Sequence, residues 1–371
     1  MKRIFKIMPL LVLIIGLMAC SPDNNNNDGI NETEQNDNNE AVNNDNAASD
    51  DDSDGNDVSE DNDNANDDAL GDEDHSNTNA AQEDSEFESG QGGFLWRVDN
   101  EDTTVYLQGT IHIGPESFYP LNDAIESAYE EADVVVPEID ITSVGAFTEL
   151  KTTADHGVYD DGETIEDHIP EDVYDRLIEV LEDFNLDPER FVSFKPWMLE
   201  STLSSLVAQE LGYLYGVDEY FLERAHDDDK EIIELESVEE QFAVLSGQSD
   251  EFQSLQLAET LNGLEDFEEE IGEMFDVYLA GDEDALKEQL FLEDGEIEEV
   301  IEDEALQEEY QSYTKALNDD RNVGMADTIE EFLDDGSDKT YFVIVGTAHL
   351  IEDPHVPGLL EKKGFEVERL Y

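Results

Sequence analysis

The sequence predicts an α/β protein with a central mixed, mostly parallel sheet, flanking helices and a large helical middle region. Three observations predict it. Apolar β-branched runs stand at both ends of residues 93–371, helix-periodic segments fill the interval between them, and a Gly-x-x-His motif follows two of the runs.

The elements follow in order. Phe94-Leu95-Trp96-Arg97-Val98 and Thr103-Thr104-Val105-Tyr106-Leu107 flank a polar turn at 99–102 and read as a hairpin. The second strand runs into Gly109-Thr110-Ile111-His112. A helix follows over 122–131 with Leu121, Ile125 and Ala128 on one face, and 133–140 is a β-branched run of the kind buried on both faces of a sheet. Strand, helix and strand outline a βαβ unit. From about 143 to 335 the pattern is helical, with helices predicted over 173–184, 196–211, 219–225 and 255–280, the last ended by a Gly281-Asp282 turn. One short strand, 230–236, interrupts them and ends in Glu236. Tyr341-Phe342-Val343-Ile344-Val345 restores a buried strand and leads at once into Gly346-Thr347-Ala348-His349. A helix over 357–364 with a glycine C-cap and a closing strand over 365–370 complete the chain.

Residues 1–92 are not part of this fold. Lys2, Arg3 and Lys6 precede a short apolar stretch, 8–18, the layout of a secretory signal and too short for a comfortable membrane span. It ends in Leu17-Met18-Ala19-Cys20, which resembles a bacterial lipobox, so 1–20 are read as a lipoprotein signal peptide with Cys20 as the lipidated residue. The alternative is an ordinary cleaved signal with an incidental cysteine. Cys20 is the sole cysteine, which excludes an internal disulfide and a Cys-ligated metal site. Residues 21–92 are an acidic Asn/Asp-rich tether with too little apolar surface to offset the entropy of ordering, and are expected to be disordered. The expected location is therefore extracytoplasmic, lipid-anchored to a membrane.

The chain carries 100 Asp and Glu against 17 Lys and Arg, a formal net charge of -83. Residues 21–90 hold 24 of the acids and none of the bases, yet 91–371 still keep 76 acids against 14 bases, so the folded part is acidic in its own right. Such a balance argues against nucleic acid as a partner, because both are polyanions. It predicts a salt-tolerant, halophilic setting, with an acidic surface that is merely tolerated as the alternative.

The repeated Gly-x-x-His motif carries the most chemistry. In open α/β sheets ligands bind at the C-terminal ends of the strands, and both motifs sit there. Glycine is expected to let the backbone turn off the strand and aim His112 and His349 into the crevice. With Glu138 delivered by a third strand end, the three would form a two-His, one-carboxylate site suited to a divalent transition metal with open positions. The competing reading is that each histidine only bonds a neighbouring turn, and that Glu138 is a structural carboxylate paired with Arg321.

Beyond these motifs, Phe94 to Val98, Ser117-Phe118-Tyr119-Pro120-Leu121, Ala132-Asp133-Val134-Val135-Val136-Pro137-Glu138, Gly216-Val217-Asp218 and Val345 to Leu350 together resemble the TraB/PrgY/GumN family, whose superfamily includes the Tiki metalloproteases. The resemblance covers roughly 93–371. It implies a fold related to the erythromycin-esterase-like hydrolases and a site made of His112, His349 and Glu138, with Mn or Co as the metal and a peptide or small extracellular molecule as substrate. Asp218, Glu236, Arg321 and Asn322 are further matching positions. The chain departs from the family at Pro137, where an aliphatic residue is usual, and at the polar 351–355 segment. Metal-assisted hydrolysis is the expected reaction, with His112 and His349 as metal ligands, Glu138 as third ligand or general base, Arg321 stabilising the oxyanion and Glu236 as a reserve carboxylate. A metal-free His/Glu hydrolysis is the variant on that scheme. The alternative function is a surface protein that captures a peptide or pheromone without turning it over. Asp218 is read as a helix N-cap, Asn322 as a capping or packing residue, His156, His168 and His226 as exposed, His355 as without function, and Trp96 and Trp197 as core.

Overall fold

A computed structural model describes residues 90–160, 162–292 and 294–371. The expected signal peptide, Cys20 and the expected tether as far as residue 89 lie outside the described residues. No helix among those described is long and apolar enough to cross a membrane.

Six strands form one sheet: β1 (Phe94–Asn100), β2 (Thr103–Thr110), β3 (Val134–Pro137), β4 (Glu231–Ile232), β5 (Thr340–Gly346) and β6 (Val367–Arg369), in the order β4-β3-β5-β2-β1-β6. β4, β3, β5 and β2 are parallel neighbours, while β1 is antiparallel to both β2 and β6, so the sheet is mixed and mostly parallel. The expected hairpin is β1 and β2, paired from Phe94↔Gly109 to Asn100↔Thr103. β2 and β3 do not touch each other as the βαβ outline implied. β5, from the far end of the chain, is inserted between them and carries its own Gly-x-x-His to the same edge.

The helices are α1 (Asp123–Glu131), α2 (Ala146–Thr152), α3 (Glu171–Asp183), α4 (Pro196–Leu211), α5 (Val217–Asp227), α6 (Val238–Leu245) and α7 (Asp250–Gly263). They continue with α8 (Phe267–Ala280), α9 (Glu283–Leu290), α10 (Asp294–Val300), α11 (Glu304–Thr314), α12 (Asp320–Asp334), α13 (Thr347–Ile351) and α14 (Val356–Lys363). α1 begins where Asn122 accepts from the backbone N–H groups of Ala124 and Ile125, and α14 stops at Gly364, whose φ of 107° suits glycine.

The predicted helix 255–280 is two helices. α7 places Leu257 and Leu261 in a cluster with Leu177, Leu199 and Leu203 of α3 and α4, whereas α8 places Phe267, Ile271 and Phe275 in the cluster under the sheet. One straight helix cannot serve both cores, so the chain breaks between Gly263 and Phe267. The strand predicted over 230–236 is shorter than expected, at two residues. Its ladder nevertheless continues: Ile233, Leu235 and Glu236 donate their N–H groups to the carbonyls of Val135, Pro137 and Glu138.

Val134, Val135 and Val136 of β3 are fully buried, as are Phe342 and Val343 of β5. Each such side chain contributes about 1.5–3 kcal/mol relative to exposure. Pro137 ends β3, where its missing N–H costs the ladder least. Trp96 and Trp197 are core residues, each 6% exposed.

One core residue breaks the apolar pattern. Glu200, on α4, is 3% exposed and its Oε1 has no partner among the described residues. Burial alone pushes its carboxyl up to about 8. The folded-state value lies above the unfolded one, so the associated stability is full below about pH 4.5 and is lost as pH rises through about 8. Glu200→Gln is expected to be more stable than the parent above pH 5, the gap growing to roughly 3–5 kcal/mol at pH 9. Urea denaturation at pH 5 and pH 9 checks this, and equal gaps at the two pH values would refute it.

Candidate functional site

The strand order lays out the site. Four parallel strands end at one edge, and a candidate residue follows each: Glu236 after β4, Glu138 after β3, His349 after β5 and His112 after β2. The spatial row is therefore Glu236, Glu138, His349, His112, although the chain supplies them in a different sequence. The two Gly-x-x-His motifs lie on adjacent strands offset by one residue, with Gly109 opposite Val345 and Thr110 opposite Gly346.

Gly109 acts through space, not through a turn, whereas Gly346 stands where β5 turns into α13. Gly109 sits inside β2, where a Cβ would lie 2.8 Å from Thr347 Oγ1 and 3.1 Å from the Phe94 side chain. Its absence of side chain lets the start of α13 close onto β2, and Thr347 Oγ1 there donates to the Thr110 carbonyl at 2.9 Å. Gly216 does the same for His112. A Cβ at Gly216 would stand 2.5 Å from the His112 carbonyl oxygen and 2.8 Å from Asp218 Oδ1.

That close approach brings Asp218, in the first turn of α5, to His112. His112 Nδ1 lies 3.1 Å from Asp218 Oδ2, and both side chains are about nine-tenths buried. Asp218 is thus not the helix cap expected from the sequence, since Gly216 occupies the cap position. Burial disfavours a charged His112 ring, but the adjacent Asp218 carboxylate outweighs it and the ring is raised to about 9. Gly216→Ala is expected to push α5 off the His112 backbone, costing roughly 1–3 kcal/mol and lowering the His112 pKa below 9. NMR titration of the ring checks it, and an unchanged titration would show that Gly216 does not set this contact.

His349, on α13, is fully buried. Its Nδ1 is 2.6 Å from Asn322 Oδ1, and Asn322 donates its Nδ2 to the Pro354 carbonyl at 3.1 Å. The Pro354 bond turns the amide oxygen toward the ring, so His349 carries its proton on Nδ1 and Nε2 is a bare acceptor. That Nε2 has no hydrogen-bond partner among the described residues and faces Glu138 Oε1 at 3.7 Å. Burial and the Arg321 charge lower the ring to about 3, keeping it neutral.

Glu138 is held on both oxygens. Oε1 accepts from the Gly346 N–H at 2.6 Å, and Oε2 from Arg321 Nη2 at 2.5 Å and Gln241 Nε2 at 3.1 Å. Burial alone would raise it, but the Arg321 guanidinium reverses this and holds it well below the usual carboxylate range. Arg321 also grips Glu236, through Nε to Oε1 at 2.8 Å and Nη2 to Oε2 at 2.6 Å, and donates Nη1 to the Leu317 carbonyl. Gln241 bridges the two glutamates, with a second bond to Glu236 at 3.0 Å.

Arg321 and Asn322 reach the site because the helix bearing them is irregular. Between α11 and α12 the residues Lys315–Asp319 form a π-helical turn, a distortion that re-registers the following side chains and often marks functional positions. Asp218 and Asn322 were matching family positions in the sequence but were read as a cap and as a capping or packing residue, and Gln241 was given no role; the structure makes all three polar partners of the site. The other histidines have local partners: His226 meets Asp140 at 2.9 Å, and His168 stacks on Tyr159 and meets Asp250. His168 and His156 are not the exposed side chains expected from the sequence. His355 caps α14 by accepting from the Gly358 N–H.

Tested against a divalent cation, the imidazoles suit one in donor chemistry. Each has its Nδ1 taken by an outer acceptor, Asp218 or Asn322, which is how metal-binding imidazoles are oriented, and the buried Nε2 of His349 is orphaned. Glu138, His112 and His349 lie near enough to shift one another electrostatically. The carboxylate is committed to Arg321 and Gln241, and no three His, Cys, Asp or Glu side chains among the described residues already converge as a metal-holding group.

The sequence profile of the TraB/PrgY/gumN family matches residues 94–369. The uncharacterized protein YbaP of Escherichia coli K12 is 29% identical over 143 residues, 38% of this chain and 51% of that protein, and the YbaP of Shigella flexneri matches to the same extent. The chain thus spans about half the length of these curated relatives. No solved structure matches.

Proposed function

The chain belongs to the TraB/PrgY/gumN family, and from that premise we propose that it is a hydrolase whose centre is the His112 and His349 pair, acting on peptides outside the cytoplasm while anchored through a lipid on Cys20. The observation that carries the reading is the buried Nε2 of His349, without a hydrogen-bond partner among the described residues, held as an acceptor by Asn322 and facing an ionised carboxylate. A buried acceptor without a donor is costly unless a ligand or substrate completes it.

In this reading His112 and His349 would hold a Mn or Co ion through Nε2, and such an ion supplies Lewis acidity to a carbonyl and a lowered pKa to water. The chain's own residues do the rest. Asp218 and Asn322 fix the ring orientations. Glu138 keeps negative charge beside His349 Nε2, where it favours a cation or orients an incoming proton. Arg321 and Gln241 hold Glu138 and Glu236 in place; with its three nitrogens committed, Arg321 positions carboxylates before it can meet an oxyanion.

A specific observation also favours a second reading. His112, raised to about 9, and His349, lowered to about 3, are neighbouring imidazoles driven to opposite protonation states. Such a split equips a site for acid–base hydrolysis without metal, His112 donating a proton and His349 accepting one.

Mass spectrometry of a mixed peptide pool incubated with the full chain tests both. The first reading expects cleavage that EDTA abolishes and Mn or Co restores; cleavage indifferent to EDTA selects the second. Peptides retained on the chain but never cut would contradict both and leave peptide capture. A Cys20→Ser chain that stays membrane-bound would remove the anchor.

A further inference from the structure

Beside the wall that carries His349 lies a cavity of about 260 Å³ that the hydrolytic reading leaves unused. Its residues come from the π-helical turn, from α11, from the segment around Phe291 and from Glu352 and Asp353, which follow α13. The volume is below that of a drug-sized ligand site, roughly 300–1,000 Å³, and admits one side chain.

Asn318 lines this cavity and is 4% exposed, yet neither its Oδ1 nor its Nδ2 has a hydrogen-bond partner among the described residues. Two unmet polar atoms on one buried amide are expensive to keep unless something occupies the cavity. An amide offers one donor and one acceptor side by side, a match for the amide of another chain. Around it stand three carboxylates, Asp319, Glu352 and Asp353, with the rings of Phe291 and Tyr310. The one cation lining the cavity, Lys315, is paired with Asp320. Burial raises the Glu352 and Asp319 carboxyls and neighbouring acids add to the rise, against Lys287 at Glu352 and Lys315 at Asp319, while Asp353 lies 3.6 Å from His355.

We infer that this cavity is a recognition subsite for an arginine side chain of a peptide, with Asn318 pairing to the peptide amide, the three carboxylates receiving the guanidinium and Phe291 and Tyr310 covering its stem. The cavity is linked to the row through the helix that follows the π-helical turn. Asn322, four residues beyond Asn318, bonds the Pro354 carbonyl next to Asp353 and holds the His349 ring. The inference rests on the hydrolytic reading for its peptide substrate and makes that substrate basic.

Calorimetric titration of the full chain with N-acetyl-arginine methylamide, against the uncharged citrulline analogue, tests the subsite without requiring turnover. The expected result is saturable binding of the arginine compound, at least tenfold weaker for the citrulline compound, and a loss of about tenfold or more in both Glu352→Gln and Asn318→Ala. Glu304→Gln removes an exposed acid elsewhere and controls for the chain's overall charge. Equal losses in Glu304→Gln and Glu352→Gln, or none in either cavity variant, would overturn the subsite. Since Asn318→Ala acts on a buried position, its melting temperature is measured alongside, and Glu352→Gln, at the half-buried rim, decides the case if the first variant unfolds. Arginine binding with no peptide cleavage would keep the subsite and reject the hydrolase; cleavage with no arginine binding would do the reverse.

Discussion

Arg321→Met is expected to cost about 3–5 kcal/mol of stability at neutral pH, the largest loss of any single substitution at the site. The guanidinium is buried between Glu138 and Glu236 and donates from all three nitrogens. Methionine of similar length fills the space but leaves two buried carboxylates facing each other without a counter-charge, and the uncompensated charge, more than the lost bonds, sets the penalty. The pH dependence reverses as well. In the parent, the Glu138 carboxyl is depressed, so its contribution is present above about pH 4.5 and lost as the solution is acidified through the folded-state value. Without Arg321, burial pushes the Glu138 carboxyl toward its protonated form, so the variant should gain stability as pH falls from 8 to 5. Urea denaturation at those two pH values decides it; a loss under 1 kcal/mol at both would mean that Arg321 does not hold the glutamates together in solution.

The largest effect on activity is expected for His349→Ala, a fall in kcat of at least 10²–10⁴-fold with the fold retained, because it removes a ring at the strand-end row whose Nε2 is buried and without a hydrogen-bond partner among the described residues. Asn322→Ala should give a milder and more informative result. It leaves the ring in place but frees Nδ1, so the proton can move to Nε2 and block the acceptor. A loss of roughly 10–100-fold is expected, the scale seen when an outer partner of a metal-binding histidine is removed. Steady-state kinetics on a cleaved peptide, with circular dichroism to confirm folding, measures both. Equal activity in Asn322→Ala and the parent would show that the Nδ1 contact has no role in setting the ring.

Much of this architecture was legible in local pattern. The hairpin, α4 and the buried strand 341–345 were evident because β-branched runs and helical periodicity are local properties, and the two Gly-x-x-His motifs located the edge that matters. What sequence did not reveal is long-range. The insertion of β5 between β2 and β3 depends on pairing across more than two hundred residues, and the division of 255–280 into α7 and α8 depends on two cores that only the folded chain possesses. Among site residues, His112, Glu138, His349, Glu236 and Arg321 were all nominated and do lie in one row or on its clamp. Asp218 was taken for a cap because its position at a helix start is also where caps occur; only the missing Cβ of Gly216, pressed on the His112 carbonyl, explains why it turns toward the ring. Asn322 and Asn318 depend on a π-helical turn that no residue type announces.

In the proposed site His112 and His349 together hold a cation. Calorimetric titration of Mn²⁺ and Co²⁺ into the full chain tests it most directly, with His112→Ala, His349→Ala and Glu304→Gln alongside to separate a specific site from weak binding by the acidic sequence. One tight ion per chain is expected, lost in either histidine variant and kept in Glu304→Gln. Tight binding that survives both histidine substitutions, or only weak multiple binding common to all four chains, would contradict it.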